Sequence, residues 1–339
     1  MKDTNKAIDR VAHRDVFSPS ARGSMTSEIP LQAVEELLLT VTRSAVPLLT
    51  ETTAHILSAG GKRLRPRLVL LAYAAAGGTN IDEAVPLAAA VEIIHTATLV
   101  HDDINDHGTL RRGRETVNSR WGSTFALLTG DYMFTKTYEI MAPYSAELNR
   151  ILARAAIQLV EGETLQIQAA RQGTLDRDTY YEIIAKKTAA LFVACTELGA
   201  TAAGAPAQWV EALSTYAFNL GLAFQIVDDI LDLVGDAQTL GKNAGIDLAQ
   251  GRGLGAVRDD GNAPVSQSTA AVQITPDTAG GPFKESLLAG NSLDAAIELG
   301  RAKAGELIER ALSSLDVLPS SPALEELRAL ARQVVSRDH

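Results

Sequence analysis

From Leu31 onward the chain is patterned almost throughout for α-helix, and no other feature narrows the fold as much. Val34, Leu37, Leu38 and Val41 recur at the i, i+3, i+4, i+7 spacing of one helix face. Alanine, the best helix former, fills many intervening positions, as in Ala72 to Ala76 and Ala88 to Ala90. Period-two alternation of β-branched residues is hard to find. Breaks fall at Gly60-Gly61, Gly77-Gly78, Gly122, Gly173, Gly204-Ala205-Pro206 and Gly235. They leave segments of roughly 15–30 residues between punctuations. Such lengths fit one large helical bundle better than two α/β domains. The expected fold is therefore all-α, a single bundle over residues 30–339 behind a flexible tail at 1–29. Within it, 258–282 is rich in Gly, Pro, Ser, Thr, Asn and Asp and reads as a long surface loop or flap.

Composition excludes several function classes. The 339 residues carry 31 Lys+Arg against 41 Asp+Glu, a net charge of −10. A nucleic-acid binder normally needs the opposite balance to meet phosphates. The single cysteine, Cys195, rules out an internal disulfide and a cysteine-built zinc site, and its apolar run reads as a core thiol. No stretch reaches the roughly 18 uninterrupted apolar residues of a membrane helix, so no transmembrane segment is expected. The polar first residues lack the apolar core of a secretory signal, and a cytoplasmic setting is expected.

Two short sequences inside apolar helical runs carry the chemistry. They are Asp102-Asp103-Ile104-Asn105-Asp106 and Asp228-Asp229-Ile230-Leu231-Asp232. In each DDxxD the first and last Asp are i, i+4 neighbours on one helix face, about 6 Å apart. Like charges at that spacing repel, and burying them unpaired costs several kcal/mol per ion. A solvated acidic face would explain one such cluster, but it would be flanked by polar residues rather than by Leu99, Ile226 and Leu233. Hard divalent cations between the carboxylates resolve the conflict, and Mg²⁺ takes oxygen ligands and shares its shell with phosphates. His95 and Gln225 lie in phase with the two carboxylate faces.

The acidic chain also holds two basic islands. Lys62, Arg63, Arg65 and Arg67 follow the glycine pair Gly60-Gly61, and Arg111, Arg112 and Arg114 follow the first Asp cluster. Glycine lets the backbone approach an anion, and arginine contacts phosphate bidentately. Lone basic runs are usually solvated surface. Here a metal site and an anion site are adjacent, which implies a diphosphate between Mg²⁺ and arginine. Lys187-Thr188 in an apolar run, and Gly241-Lys242 followed by Asp247, fit the same scheme.

Taken together these residues resemble the trans-isoprenyl diphosphate synthases, or polyprenyl synthetases. The elements appear in that family's order. They are GGKRLRP at Gly60–Pro66, EIIHTATLVHDDIND at Glu92–Asp106, RRG at Arg111–Gly113, GD at Gly130-Asp131 and EGE at Glu161–Glu163. KT follows at Lys187-Thr188, then FQIVDDILD at Phe224–Asp232 and GK at Gly241-Lys242. The resemblance covers Leu31 to Arg252 well and the C-terminal helices loosely. It departs at Gly251 to Val257, where the family continues with a Lys-Thr-Leu-Pro-like stretch.

The resemblance implies an isoprenoid-synthase bundle whose central cavity carries the two Asp motifs on facing helices. It implies about three Mg²⁺ ions, with Asp102, Asp106 and Asp228 as ligands and Asp232 less firmly so. Arg111, Lys187, Thr188, Gln225 and Lys242 would hold an allylic diphosphate. Lys62, Arg65, His95 and Arg112 would hold isopentenyl diphosphate. The implied reaction is head-to-tail (1'-4) elongation with release of diphosphate, by a homodimer. Chain length in the family follows the fifth residue before the first Asp, here Ala97, with Thr98 beside it; both are small, which implies a product longer than C20. The alternatives are a short-chain farnesyl or geranylgeranyl synthase, a class I terpene cyclase, or a regulatory subunit of a heteromeric synthase. A cyclase would lack the GGKRLRP island, and a regulatory subunit would have lost motif aspartates.

Overall fold

The computed structural model describes residues 30–234 and 293–336, and every statement below concerns those residues. The tail at 1–29, Lys242, Asp247 and the segment 258–282 lie outside them. The expected all-α architecture is what forms. In chain order the helices are α1 (Leu31–Val41), α2 (Pro47–Leu57), α3 (Leu64–Ala75), α4 (Val85–Asn105), α5 (Val117–Trp121), α6 (Ser123–Met141) and α7 (Ala146–Gln172). They continue as α8 (Arg177–Ile184), α9 (Ala190–Ala202), α10 (Ala207–Val234), α11 (Leu293–Ser314) and α12 (Pro322–Val335).

The helix limits follow from local chemistry. Thr116, Ser145, Asp176 and Ser321 each accept, at the side-chain oxygen, a backbone N–H of the first turn of α5, α7, α8 and α12. Pro47, Pro86 and Pro322 sit in first turns, where the missing N–H costs nothing. Gly173 ends α7 in the left-handed conformation at φ 65.

Helix α4 is the axis of the bundle, packed against α3, α6 and α1, while α9 lies between α3, α10 and α7. Close approach is set by small residues. A Cβ on Gly199 of α9 would meet the Val69 carbonyl of α3 at 2.3 Å. Helix α12 crosses α3 and α10, tied by the Tyr216 hydroxyl, which donates to the Leu327 carbonyl at 2.6 Å. The Ile81–Asn105 and Ala207–Asp232 stretches are long and apolar enough to cross a membrane, but 83% and 61% of their apolar windows are buried inside the protein. The apolarity of α4 and α10 is that of core helices. Cys195 is buried in α9, its thiol donating to the Leu191 carbonyl and pushed up by burial.

Two features escape periodicity. Leu110–Arg111 and Arg114–Glu115 pair as a minimal antiparallel hairpin, too short to show any alternation. Between α8 and α9 the ladder widens into a π turn at Ala185–Ala189. One residue more per turn leaves no trace in an apolar pattern, and such bulges favour functional sites.

Candidate active site

The first Asp motif ends α4, and its two adjacent aspartates have different surroundings. Asp103 is 2% exposed, and its Oδ1 accepts from Arg111 Nε at 2.9 Å and Nη2 at 2.8 Å. This clamp ties the hairpin to α4, and Asn118 Nδ2 adds a bond to the Asp103 carbonyl. Asp102 points elsewhere. Burial pushes its carboxyl up to about 7, and Glu163 and Asp106 push the same way against the pull of Lys187 and Arg111. Asp102 of α4, Glu163 of α7 and Lys187 of the π turn therefore share one site.

The π turn is held from two sides by glycine. A Cβ on Gly162 of α7 would sit 2.6 Å from the Lys187 backbone N, and one on Gly221 of α10 would sit 2.6 Å from Ala189 Cα. The two carboxylates beside Gly162 then meet the two lysines of the turn. Glu161 pairs with Lys186 at 3.2 Å, Glu163 with Lys187 at 2.5 Å, and Lys187 also donates to Gln166 Oε1 at 3.0 Å. The EGE and KT elements are thus halves of one contact.

The second motif lies on α10. Asp228 is exposed and Asp229 is buried at 6%. Gln225, which helical phase places near the face of Asp228, bonds instead to Asp229: its Nε2 donates to Oδ1 at 2.8 Å. Tyr180 of α8 donates to the other oxygen of Asp229 at 2.7 Å, and Thr188 donates to Gln225 Oε1 at 2.7 Å. In both motifs the second Asp is built into the scaffold.

The glycine-rich island splits in the same way. Arg63, with left-handed φ 45, is turned inward and 7% exposed. It pairs with Glu35 at 2.5 Å and Glu92 at 2.7 Å, and donates to the Leu57 carbonyl. Lys62 is exposed, and Arg65 lies over the Phe192 ring with 5.1 Å between guanidinium and centroid. Arg65 Nε is buried without a hydrogen bond, and burial lowers its pKa. Arg112, also left-handed at φ 51, donates to the Gly60 carbonyl, so the hairpin closes onto the island. His95 stays neutral, since burial, then Arg65, Arg112, Arg111 and Arg63, hold it well below its ordinary range. Among the sequence-marked candidates, Arg65, Arg112, His95 and Arg111 gather on one side, and Asp102, Lys187, Thr188, Gln225 and Asp228 on the other. Ala97 is fully buried, and Thr98 donates to the His95 carbonyl.

Sequence reasoning missed Glu35, Glu163, Gln166 and Tyr180 as partners. Glu163 lay inside a quoted motif, whereas Glu35 and Tyr180 carry no local signal because their partners are distant in sequence. The GD element also gains a reason. A Cβ on Gly130 would meet His101 Nε2 at 2.1 Å, and the same nitrogen lies 3.6 Å from Asp131.

Comparison with known proteins agrees with this arrangement. The family model for polyprenyl synthetase matches residues 46–253. An all-trans-nonaprenyl-diphosphate synthase (geranyl-diphosphate specific) of Rhodobacter capsulatus is 36% identical over 96% of this chain and 98% of its own. Heptaprenyl diphosphate synthase component 2 of Geobacillus stearothermophilus is 39% identical over 91% and 96%. In structure the chain matches a polyprenyl synthase of Caulobacter crescentus, complexed with calcium and isoprenyl diphosphate. That match has a TM-score of 0.77 and 34% identity over 94% and 100% of the two chains. The chain thus belongs to the polyprenyl synthetase family and is a trans-isoprenyl diphosphate synthase, a transferase whose relatives make long-chain polyprenyl diphosphates.

Proposed function

We propose that the protein elongates an allylic diphosphate by Mg²⁺-dependent 1'-4 condensation with isopentenyl diphosphate, releasing diphosphate and making a product longer than C20. The observation that carries this reading is the pairing of a desolvated carboxylate site at Asp102 with a separate arginine cluster around His95. One site suits an ion-bridged diphosphate, and the other a second diphosphate held by arginine.

The residues fit Mg²⁺. The donors are hard oxygens, and the Asp102 carboxyl, raised by burial and by neighbouring acids, is a group that a cation would relieve. Among the described residues no three His, Cys, Asp or Glu groups close into a cage. Mg²⁺ bound through one or two carboxylates, waters and substrate phosphates needs none. Asp102, Asp106 and Asp228, with Asp232, would hold the ions, which supply charge neutralisation on the departing diphosphate. Lys187, Arg111 and Lys242 would bind the same group, while Lys62, Arg65 and Arg112 bind isopentenyl diphosphate, with neutral His95 as a hydrogen-bonding neighbour. The apolar walls of α4 and α9 keep water from the cationic intermediate.

A homodimer is part of this reading. Phe125, Leu127, Leu128 and Tyr138 of α6, and Ile157 and Val160 of α7, are exposed large hydrophobics. Apolar surface of that kind is characteristic of a protein contact. A second reading has the chain as the catalytic half of a heteromeric synthase, favoured by the Geobacillus relative being named a component 2. Purified chain incubated with Mg²⁺, isopentenyl diphosphate and geranyl, farnesyl or geranylgeranyl diphosphate, with products sized by chromatography, tests both. Products beyond C20 from the chain alone are expected. Products of C20 or shorter favour the short-chain alternative, and no elongation from any primer overturns the single-component reading.

A further inference from the structure

Asp229 is left out of the proposed ion-binding set, yet it is buried and both its oxygens are occupied. Oδ2 accepts from the Tyr180 hydroxyl at 2.7 Å and Oδ1 from Gln225 Nε2 at 2.8 Å, while Gln225 Oε1 accepts from the Thr188 hydroxyl at 2.7 Å. This chain of hydrogen bonds runs from α8 through α10 to the π turn, and it has a direction. A carboxylate only accepts, so Gln225 turns its NH₂ to Asp229 and its oxygen to Thr188. An amide oxygen also only accepts, so the single proton of Thr188 goes to Gln225. Thr188 Oγ1 then has only lone pairs for its other neighbours. The phenol of Tyr180, pushed up by burial and then by the Asp229 charge, remains a donor.

We infer that Asp229, seconded by Tyr180, is a positioning residue that fixes this direction, so that Thr188 presents an acceptor oxygen to the reacting group rather than a hydroxyl proton. The inference rests on the elongation reading above. In that reaction positive charge develops on the allylic carbon as the diphosphate departs. An acceptor oxygen stabilises such charge, whereas a donor would favour the phosphate and the ground state. It also replaces the expectation that Thr188 helps to hold the diphosphate, because its proton is already committed.

Asp229→Asn reverses the direction while keeping the bonds. The new amide accepts from Tyr180 and points its NH₂ at Gln225, which must flip, and Thr188 then accepts and turns its proton outward. Elongation by the full chain is expected to show kcat down at least about 30-fold, with both KM values within about threefold. Half-saturating Mg²⁺ and Tm should stay close to wild type. Thr188→Val should lower kcat by itself, and adding Asp229→Asn should lower it by no more than about twofold further, since the two act through one contact. If Asp229→Asn fails to fold, Gln225→Met frees the same proton and should give the same kcat-only loss.

Several outcomes overturn the inference. They are unchanged kcat in Asp229→Asn, full additivity with Thr188→Val, recovery at high Mg²⁺ (Asp229 then being an ion ligand), and a loss confined to KM. Wild-type product in the same assay separates the two levels. Its absence overturns the elongation reading as well, whereas its presence with a wild-type-like Asp229→Asn overturns this inference alone.

Discussion

Lys62 and Arg63 are adjacent cations with opposite surroundings, and they show how strongly burial divides residues that look alike in sequence. Arg63 lies against Glu35 and the buried Glu92, whereas Lys62 is exposed. Arg63→Ala would leave Glu92 charged and unpaired in the core, a change that costs about 3–5 kcal/mol. Urea unfolding should show that loss, while Lys62→Ala should stay within about 0.5 kcal/mol of wild type and raise the KM for isopentenyl diphosphate instead. Asp102→Ala makes the converse case. It should cut turnover by at least about 100-fold. Because the carboxyl it removes is desolvated and beside Glu163 and Asp106, Tm in Mg²⁺-free buffer should not fall, as differential scanning fluorimetry can read. The DDxxD spacing showed that the motif aspartates were special. It did not show that Asp103 and Asp229 face inward, because Arg111 and Tyr180 arrive from other elements.

At the scale of elements, the decisive unit is the π turn at Ala185–Ala189, pressed between α7 and α10. Its position depends on the absence of two side chains. Gly162→Ala would drive a methyl group into the Lys187 backbone at 2.6 Å, where no flexible side chain can yield. Overpacking of this kind costs about 1–3 kcal/mol, and displacement of Lys187 should lower kcat as well. Gly305→Ala on α11 is the matched control. Nothing lies within 4 Å of its added Cβ, so stability should rise by about 0.5–1 kcal/mol with kcat unchanged, measured by urea unfolding and turnover. Helices of this length were legible because their apolar faces repeat every 3.6 residues. The hairpin and the π turn were not, since two-residue strands and one wide turn are shorter than any period.

For the molecule as a whole, product length and assembly are the properties to test. Ala97 is buried in α4 and leaves room that a ring would fill. Ala97→Phe should shorten the product by at least one isoprene unit in the sizing assay, and unchanged length would put the floor elsewhere. Ile157→Glu and Val160→Glu place charges on the exposed apolar face of α7 and should convert a dimer to a monomer in light scattering after size exclusion. The net charge of −10 describes neither site, because acids and bases are segregated locally. The sequence by itself determined the all-α fold and the identity of most candidate residues, since helical period and motif spacing are local properties of the chain. Only the tertiary structure decided which charges are committed to the scaffold, as in Arg63–Glu92, Arg111–Asp103 and Tyr180–Asp229. Those pairs join residues from 8 to 49 positions apart, and their strength comes from burial, which exists only once the helices have packed.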